Sequence, residues 1–154
     1  MDSLTPYLKQ LIAERSLPLK SIETDFAVDV DSSGFSTTRF VRWFDVKYGG
    51  NEDWHDWIKM HLMCGTSTHI VISFELSRAH ANDSPYYKPL VKQTAKAGFT
   101  MKEVSADKAY ISMGNLQTTV DHGATPFVPF KSNAQPDRGS DLWSKMFHYY
   151  NFKR

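Results

Sequence analysis

Cysteine is almost absent from this chain of 154 residues, which contains only Cys64. An internal disulfide is therefore excluded, and the composition fits a reducing compartment. No apolar run reaches the roughly 20 residues of a membrane-spanning helix, and the first residues lack a signal-peptide core. An excess of one charge is also lacking, since 18 Lys and Arg stand against 17 Asp and Glu. We expect a soluble, intracellular protein with no membrane partner.

What the chain does contain is enough apolar material to fold. Hydrophobic residues make up 41% and aromatic residues 14% of the sequence, which argues against disorder. A chain of this length can bury one core but is too short for two comfortable domains. We therefore predict a single domain over residues 1–154.

The first half of the chain predicts one helix followed by several strands. Apolar residues at helical spacing indicate an amphipathic helix over about residues 5–16. Strand composition then predicts a buried strand at 26–31 that ends in a Ser-Ser-Gly turn, and a further strand within 35–48. Alternating residues at 57–64 and 70–76, separated by a Gly-Thr-Ser turn, predict an antiparallel hairpin.

The second half alternates helices and strands. Asp83-Ser84-Pro85 predicts a cap and first turn for a helix that ends at Gly98. The same kinds of signal predict, in order, a strand over 101–106, a helix over 112–121, an edge strand over 124–130, a loop over 131–139 and a last helix capped by Ser140.

This order of elements predicts the fold class. Antiparallel strands, then a crossover helix and parallel strands, are the order of an α/β, ribonuclease-H-like mixed sheet flanked by helices. In that architecture the first and fourth strands are neighbours. Asp31 and Asp107 each stand where one of these strands runs out, so the two carboxylates would lie close together.

Two carboxylates at neighbouring strand ends suit a divalent cation. Mg²⁺ prefers oxygen ligands, and a pair of such ions can assist both the attacking and the leaving oxygen at phosphorus. The pattern therefore predicts metal-dependent phosphoryl transfer with Asp31 and Asp107 as ligands. Taken singly, each Asp could equally cap a turn. Asp29 has the same strand parity as Asp31 and stays open as the first ligand; the Ser-Ser-Gly after Asp31 favours Asp31.

Other chemistries find weaker support in the sequence. His61, Cys64, His69 and His80 fit no standard zinc spacing, and the first two lie an odd number of residues apart on one strand. We expect Cys64 in the core and His61 on an exposed face. No serine lies in a Gly-x-Ser-x-Gly elbow, and no phosphate-cradling glycine loop is present, so we expect no small-molecule cofactor.

Basic residues follow the predicted edge strand, with aromatic residues interleaved. This combination suits a nucleic-acid backbone, although a solvated loop and an amphipathic helix would have the same composition. Lys131 and Arg138, both in the predicted loop, are the candidate DNA-binding residues.

The motifs around both acids resemble one family. Asp31-Ser32-Ser33-Gly34 after an apolar strand, together with Ala106-Asp107-Lys108-Ala109-Tyr110, resembles the catalytic domain of the DDE transposases of insertion sequences. The similarity extends from the Leu17-Pro18-Leu19 approach through the hairpin and His80-Ala81-Asn82-Asp83-Ser84-Pro85 to Pro129-Phe130-Lys131.

The resemblance implies a role for each acid. Asp31 and Asp107 would be the first two ligands of Mg²⁺ or Mn²⁺ in nicking and strand transfer at transposon ends. The implied partners are transposon DNA and a second copy or a full-length transposase, in the cytoplasm with the nucleoid. The family's third acid, a Glu in a Tyr-x-x-Arg-x-x-x-Glu pattern, is not found here, and residues 111–115 lack an expected basic residue.

We therefore expect a transposase catalytic domain that is incomplete at its C-terminus and inactive alone. Two alternatives stay open. One is a non-catalytic remnant that binds DNA or a full-length transposase. The other is a small metal-dependent nuclease of the same fold, with a third acid such as Asp29 or Asp83.

Overall fold

The computed structural model describes residues 4–36, 47, 57–78, 80–137 and 139–152, with the backbone alone at 28–36 and 57. Most of the strand predicted within 35–48 lies outside these residues. None of the helices in the described ranges is both long and apolar enough to cross a membrane.

A mixed sheet of five strands organises the described chain. The strands are β1 (Asp25–Ser36), β2 (Trp57–Gly65), β3 (Val71–Arg78), β4 (Glu103–Ala106) and β5 (Thr125–Phe127). Their order is β3-β2-β1-β4-β5. β1, β2 and β3 pair antiparallel, whereas β4 pairs parallel to β1 and to β5. This arrangement confirms the predicted ribonuclease-H-like α/β sheet, with the first and fourth strands side by side.

The helices also follow the predicted order. Those with defined limits in the described residues are α1 (Thr5–Ser16), α2 (Ser84–Lys96), α3 (Met113–Asp121) and α4 (Asp141–Phe152), with short 3-10 turns at Leu17–Ser21 and Lys108–Tyr110. Lys47 is also helical, in the segment where a strand was predicted. Ser112 and Ser140 cap α3 and α4 by accepting backbone N–H bonds. The apolar side predicted for α1 is only partly buried, since Leu8 remains 44% exposed.

The predicted Ser-Ser-Gly turn after Asp31 is wrong. β1 continues to Ser36, and its pairing with β2 shifts between Asp31, opposite Met60, and Phe35, opposite Ile58. Four residue steps on β1 thus span two on β2, and the extra residues form a bulge. A glycine and small polar residues are as typical of a bulge as of a turn.

Two hydrophobic clusters hold the helices on the sheet. One joins α2 to the sheet through buried residues that include Phe26, Met63, Leu90 and Val104. The other joins α3, α4 and the chain after β5 through Leu116, Val128, Phe130, Trp143 and Met146. In this second cluster the Phe130 and Trp143 rings pack edge to face, with their centroids 4.8 Å apart. It therefore anchors the chain on both sides of Lys131.

The predicted faces of β2 are partly wrong. His61 is completely buried, and Cys64, expected in the core, is only half-buried. The alternation is real, but α2 covers the face of β2 that includes His61 and Met63. Alternation gives the period of a strand without saying which face a distant helix will cover.

Candidate functional site

The register of β1 against β4 brings the two predicted acids to one edge of the sheet, the edge toward which both strands run and at which β4 ends. Val28 is opposite Ala106, and Asp107 follows directly. Asp31 lies three residues beyond Val28, about 10 Å along the strand at roughly 3.3 Å per residue. Asp29 lies one residue beyond Val28, level with Asp107 if the pairing were extended by one step. The backbone therefore leaves both Asp29 and Asp31 near Asp107.

Asp107 is exposed and held by its own turn. Its carboxylate accepts the Lys108 backbone N–H, and its backbone carbonyl accepts the Tyr110 N–H at 2.9 Å. Its backbone is still extended, with φ −67° and ψ 157°. The side chain thus caps the 3-10 turn, while its remaining oxygen lone pairs stay available to a ligand.

A buried histidine lies under this turn. The Tyr110 hydroxyl is 3.0 Å from His61 Nδ1, and His61 Nε2 is 2.9 Å from Ser77 Oγ. The imidazole also stacks on the Tyr86 ring at 4.2 Å. These contacts connect the 107–110 turn to β2, β3 and α2, all at the edge where Asp107 lies.

The directions of these hydrogen bonds form a consistent chain. Ser77 donates its hydroxyl proton to the Arg78 carbonyl, so Ser77 Oγ accepts from His61 Nε2–H. A neutral imidazole then has a lone pair on Nδ1, which accepts the Tyr110 O–H. Burial lowers the pKa of His61 from its ordinary 6.5; the Asp83 carboxylate partly opposes this shift and the Lys59 ammonium group adds to it, so the neutral form is favoured.

A second buried side chain holds the same turn from α3. Asn115 is 2% exposed, and its amide donates to the Tyr110 carbonyl at 2.8 Å and to the Ser84 carbonyl at 3.0 Å. Asn115 lies in the 111–115 segment, where the resemblance led us to expect a basic residue. That segment is thus built around a buried amide that ties α2, α3 and the turn together.

A cleft of about 990 Å³ opens beside the turn. Its polar lining includes Lys59, His80, Asp83, Lys88, Asn115 and Lys131. Lys131, one of the two candidate DNA-binding residues, therefore lies at the site; Arg138 lies outside the described residues. Lys59 is next to Met60, whose backbone is opposite Asp31, so the cleft borders the same edge of the sheet.

One ion pair crosses this cleft. Lys59 Nζ bonds to Asp83 Oδ1, and each side chain is about 20% exposed. Asp83 precedes α2 but makes no side-chain capping bond, so the predicted cap is wrong. The carboxylate instead turns to the ammonium group of β2. In the part of the chain that the structure describes, Lys88 and Lys131 have no such anionic partner.

The donor groups at this edge suit a hard cation. Among the side chains that the structure describes, no three of His, Cys, Asp and Glu cluster around one point, and Asp29 and Asp31 lie outside that set. Asp107 offers exposed carboxylate oxygens, which fit Mg²⁺ or Mn²⁺. His61 is no candidate ligand, because both ring nitrogens already have hydrogen-bond partners.

The sequence also matches a known protein family. The model of the transposase DDE domain matches residues 25–153. The chain belongs to this family. Among solved structures, the DDE domain is similar to a piggyBac transposase in a cryo-EM synaptic complex with hairpin DNA, at 14% identity and a TM-score of 0.45. That match covers 91% of this chain and 34% of the other, so the chain spans about a third of its length.

Sequence reasoning missed three buried polar residues of this DDE domain: His61, Tyr110 and Asn115. Tyr110 had a signal, because it stands in the motif three residues after Asp107. His61 had a weaker one, as an imidazole between the apolar residues Met60 and Leu62. Asn115 had none, since asparagine in a polar segment is usually exposed.

Proposed function

We propose that this chain provides the catalytic domain of a DDE transposase, with Asp31 and Asp107 as metal-holding carboxylates. The observation that carries the proposal is the parallel pairing of β1 and β4, with Val28 opposite Ala106. It leaves little distance along the sheet edge between the two acids. Mg²⁺ or Mn²⁺, when bound, would activate an oxygen nucleophile and stabilise charge at phosphorus.

The chain's own residues have separate tasks in this proposal. Asp107 presents carboxylate oxygens from a turn that its own backbone bonds hold in shape. Asp31 would supply a second carboxylate from β1. Lys88 and Lys131, both exposed at the cleft, attract the phosphates of transposon-end DNA and orient the strand to be cut. The reaction class is DNA nicking followed by strand transfer.

We further propose that these 154 residues do not complete strand transfer on their own. Two carboxylates are proposed at the site, and the family resemblance implies a third. Asp83 would be a poor substitute, because its carboxylate is already paired with Lys59. A nuclease that used Asp83 would have to break this ion pair first.

Binding of Mn²⁺ tests the proposed ligands directly. Electron paramagnetic resonance of free Mn²⁺ is expected to give measurable affinity for the chain. Asp31→Asn and Asp107→Asn should each weaken it at least tenfold, since each variant removes one charged oxygen ligand. Asp121→Asn changes an exposed acid on α3 and is the matched control. Equal affinity in Asp107→Asn and the control would refute the metal site.

A second function, binding DNA without chemistry, is favoured by the basic cleft. Fluorescence anisotropy with a short transposon-end duplex in chelator would test it. Lys131→Gln is expected to weaken binding. It should also reduce the slope of log affinity against log salt concentration by about 1, the value for one lost phosphate contact. Lys102→Gln alters an exposed lysine beside the start of β4, at the opposite end of that strand, and should leave binding unchanged. Binding that survives in chelator and in Asp31→Ala would favour this module over the enzyme.

A further inference from the structure

We infer that Tyr110 and His61 are positioning residues that hold the Asp107 carboxylate in its metal-binding orientation. The inference rests on the proposed function of Asp107. Neither residue would touch the metal or the DNA, because both side chains are fully buried. They would act through the 3-10 turn between Asp107 and Tyr110.

The turn is short enough to transmit a constraint. Asp107 and Tyr110 are joined by a backbone hydrogen bond of 2.9 Å, and the Asp107 carboxylate bonds to the intervening Lys108 N–H. A shift of Tyr110 therefore changes the bonds that orient the Asp107 carboxylate. In addition to the packing of the ring, the Tyr110 hydroxyl has a directional bond to His61 Nδ1, which defines how deeply the ring sits in the core.

The partner of that bond is itself firmly held. His61 lies on β2, stacks on Tyr86 and donates to Ser77 on β3. Ser77 in turn donates to the Arg78 carbonyl. Both ring nitrogens have hydrogen-bond partners, on two different elements, so the orientation of the imidazole is fixed. These bonds fix the position of the Asp107 turn relative to β2 and β3, which lie on the other side of β1 from β4.

The chain contains a natural control for this effect. Tyr87 is as buried as Tyr110, belongs to the same hydrophobic cluster and also has a hydroxyl bonded to a buried side chain, that of Thr119 at 2.7 Å. That bond joins α2 to α3 and involves no atom of the 107–110 turn, although the Tyr87 and Tyr110 rings pack side by side with their centroids 6.0 Å apart. Tyr87→Phe and Tyr110→Phe therefore remove the same atom from the same kind of environment.

Two readouts separate positioning from general stability. The first is the amide ¹H–¹⁵N resonance of Lys108, which reports the bond to the Asp107 carboxylate without any metal. The second is Mn²⁺ affinity. Tyr110→Phe is expected to shift the Lys108 resonance and to weaken Mn²⁺ binding about tenfold, as loss of outer-shell support commonly does. Tyr87→Phe should change neither, at a similar melting temperature.

Identical Lys108 resonances in the two variants would overturn the inference. If the unaltered chain fails to bind Mn²⁺, or Asp107→Asn binds normally, the proposed function fails instead, and the Lys108 resonance still decides whether Tyr110 orients the turn. Should Tyr110→Phe not fold, His61 provides the second comparison. Asn can place its side-chain amide near the Nδ1 position and so keep a bond to Tyr110. Gln can place its amide near Nε2 and so keep a bond to Ser77 while losing the one to Tyr110. Only His61→Gln should then shift the Lys108 resonance, and a shift of equal size in His61→Asn would count against the inference.

Discussion

The two ends of β2 both bury polar side chains, but they satisfy them differently. At the Gly65 end, Glu23 is 1% exposed and its carboxylate accepts backbone N–H bonds from Ser67 and Thr68 at 3.3 and 3.0 Å. At the Lys59 end, the two ring nitrogens of His61 bond to side chains, those of Tyr110 and Ser77. The first arrangement fixes one hairpin turn, whereas the second joins separate elements around the proposed site.

This difference has an energetic meaning. Backbone N–H groups in an exposed turn can return to water if their acceptor is lost. The hydroxyl groups of Tyr110 and Ser77 are shielded from water, so solvent cannot replace the bond that each makes to His61. The end of β2 near Asp107 should therefore be more sensitive to single substitutions than the hairpin end.

The largest effect should come from His61→Leu. This change removes one hydrogen-bond partner from each of the Tyr110 and Ser77 hydroxyl groups in a buried site, and we expect a loss of about 3 kcal/mol in the free energy of unfolding. Urea titration followed by circular dichroism measures it. A stable His61→Leu variant would mean that packing, and not the polar chain, holds this end of β2.

Gly65→Ala should have the next largest effect. A Cβ on Gly65 would lie 2.3 Å from Glu23 Oε2, so the buried carboxylate must move and lose its N–H bonds. We expect a cost of about 2 kcal/mol, measured in the same titration. The cost should fall in a background of Glu23→Ala, because the clash is then removed.

Gly114→Ala is the matched control for that substitution. Its Cβ would meet only the tip of the flexible Lys88 side chain, at 2.7 Å. Because Gly114 is inside α3, alanine should be neutral or stabilising by up to about 1 kcal/mol. A loss equal to that of Gly65→Ala would show that the clash with Glu23 is not the cause.

A smaller effect should appear as a pH dependence. Because burial lowers the folded-state pKa of His61, the unfolded chain binds a proton first as the pH falls below 6.5. This contribution to stability is fully present above pH 6.5, declines as the pH falls toward the folded-state pKa, and levels off below it. Its slope cannot exceed about 1.4 kcal/mol per pH unit for one proton. Subtracting the urea-derived profile of His61→Gln should isolate it; identical profiles would contradict the assignment.

The smallest effect on stability should come from Lys59→Gln. The ion pair with Asp83 is partly exposed, so its loss should cost no more than about 1 kcal/mol. Lys9→Gln, which breaks the 2.6 Å pair with Glu75, is matched in exposure and should cost a similar amount. Only Lys59→Gln should change DNA affinity, because Lys59 lines the cleft. Equal DNA affinity in the two variants would mean that DNA does not bind in this cleft.

Much of the fold follows from local sequence signals, but part of it does not. Turn residues and apolar periodicity predicted α2, α3 and the β2–β3 hairpin close to their observed limits. The same signals misassigned Ser32–Gly34, since a bulge and a turn use similar residues. They also misassigned the Asp83 side chain, because its Lys59 partner lies 24 residues away in sequence. The metal-ligand roles of Asp31 and Asp107 stay predictions, as does the DNA-binding role of Lys131.

By itself, the sequence determined the order of most helices and strands and singled out two acids, Asp31 within β1 and Asp107 directly after β4. These are local properties, since a residue's neighbours within a turn or two decide them. Only the tertiary structure decided that α2 would bury His61 and that its ring would meet Tyr110, 49 residues further along the chain. The period of a strand is written in consecutive residues, but the partner that covers each face comes from elsewhere in the chain.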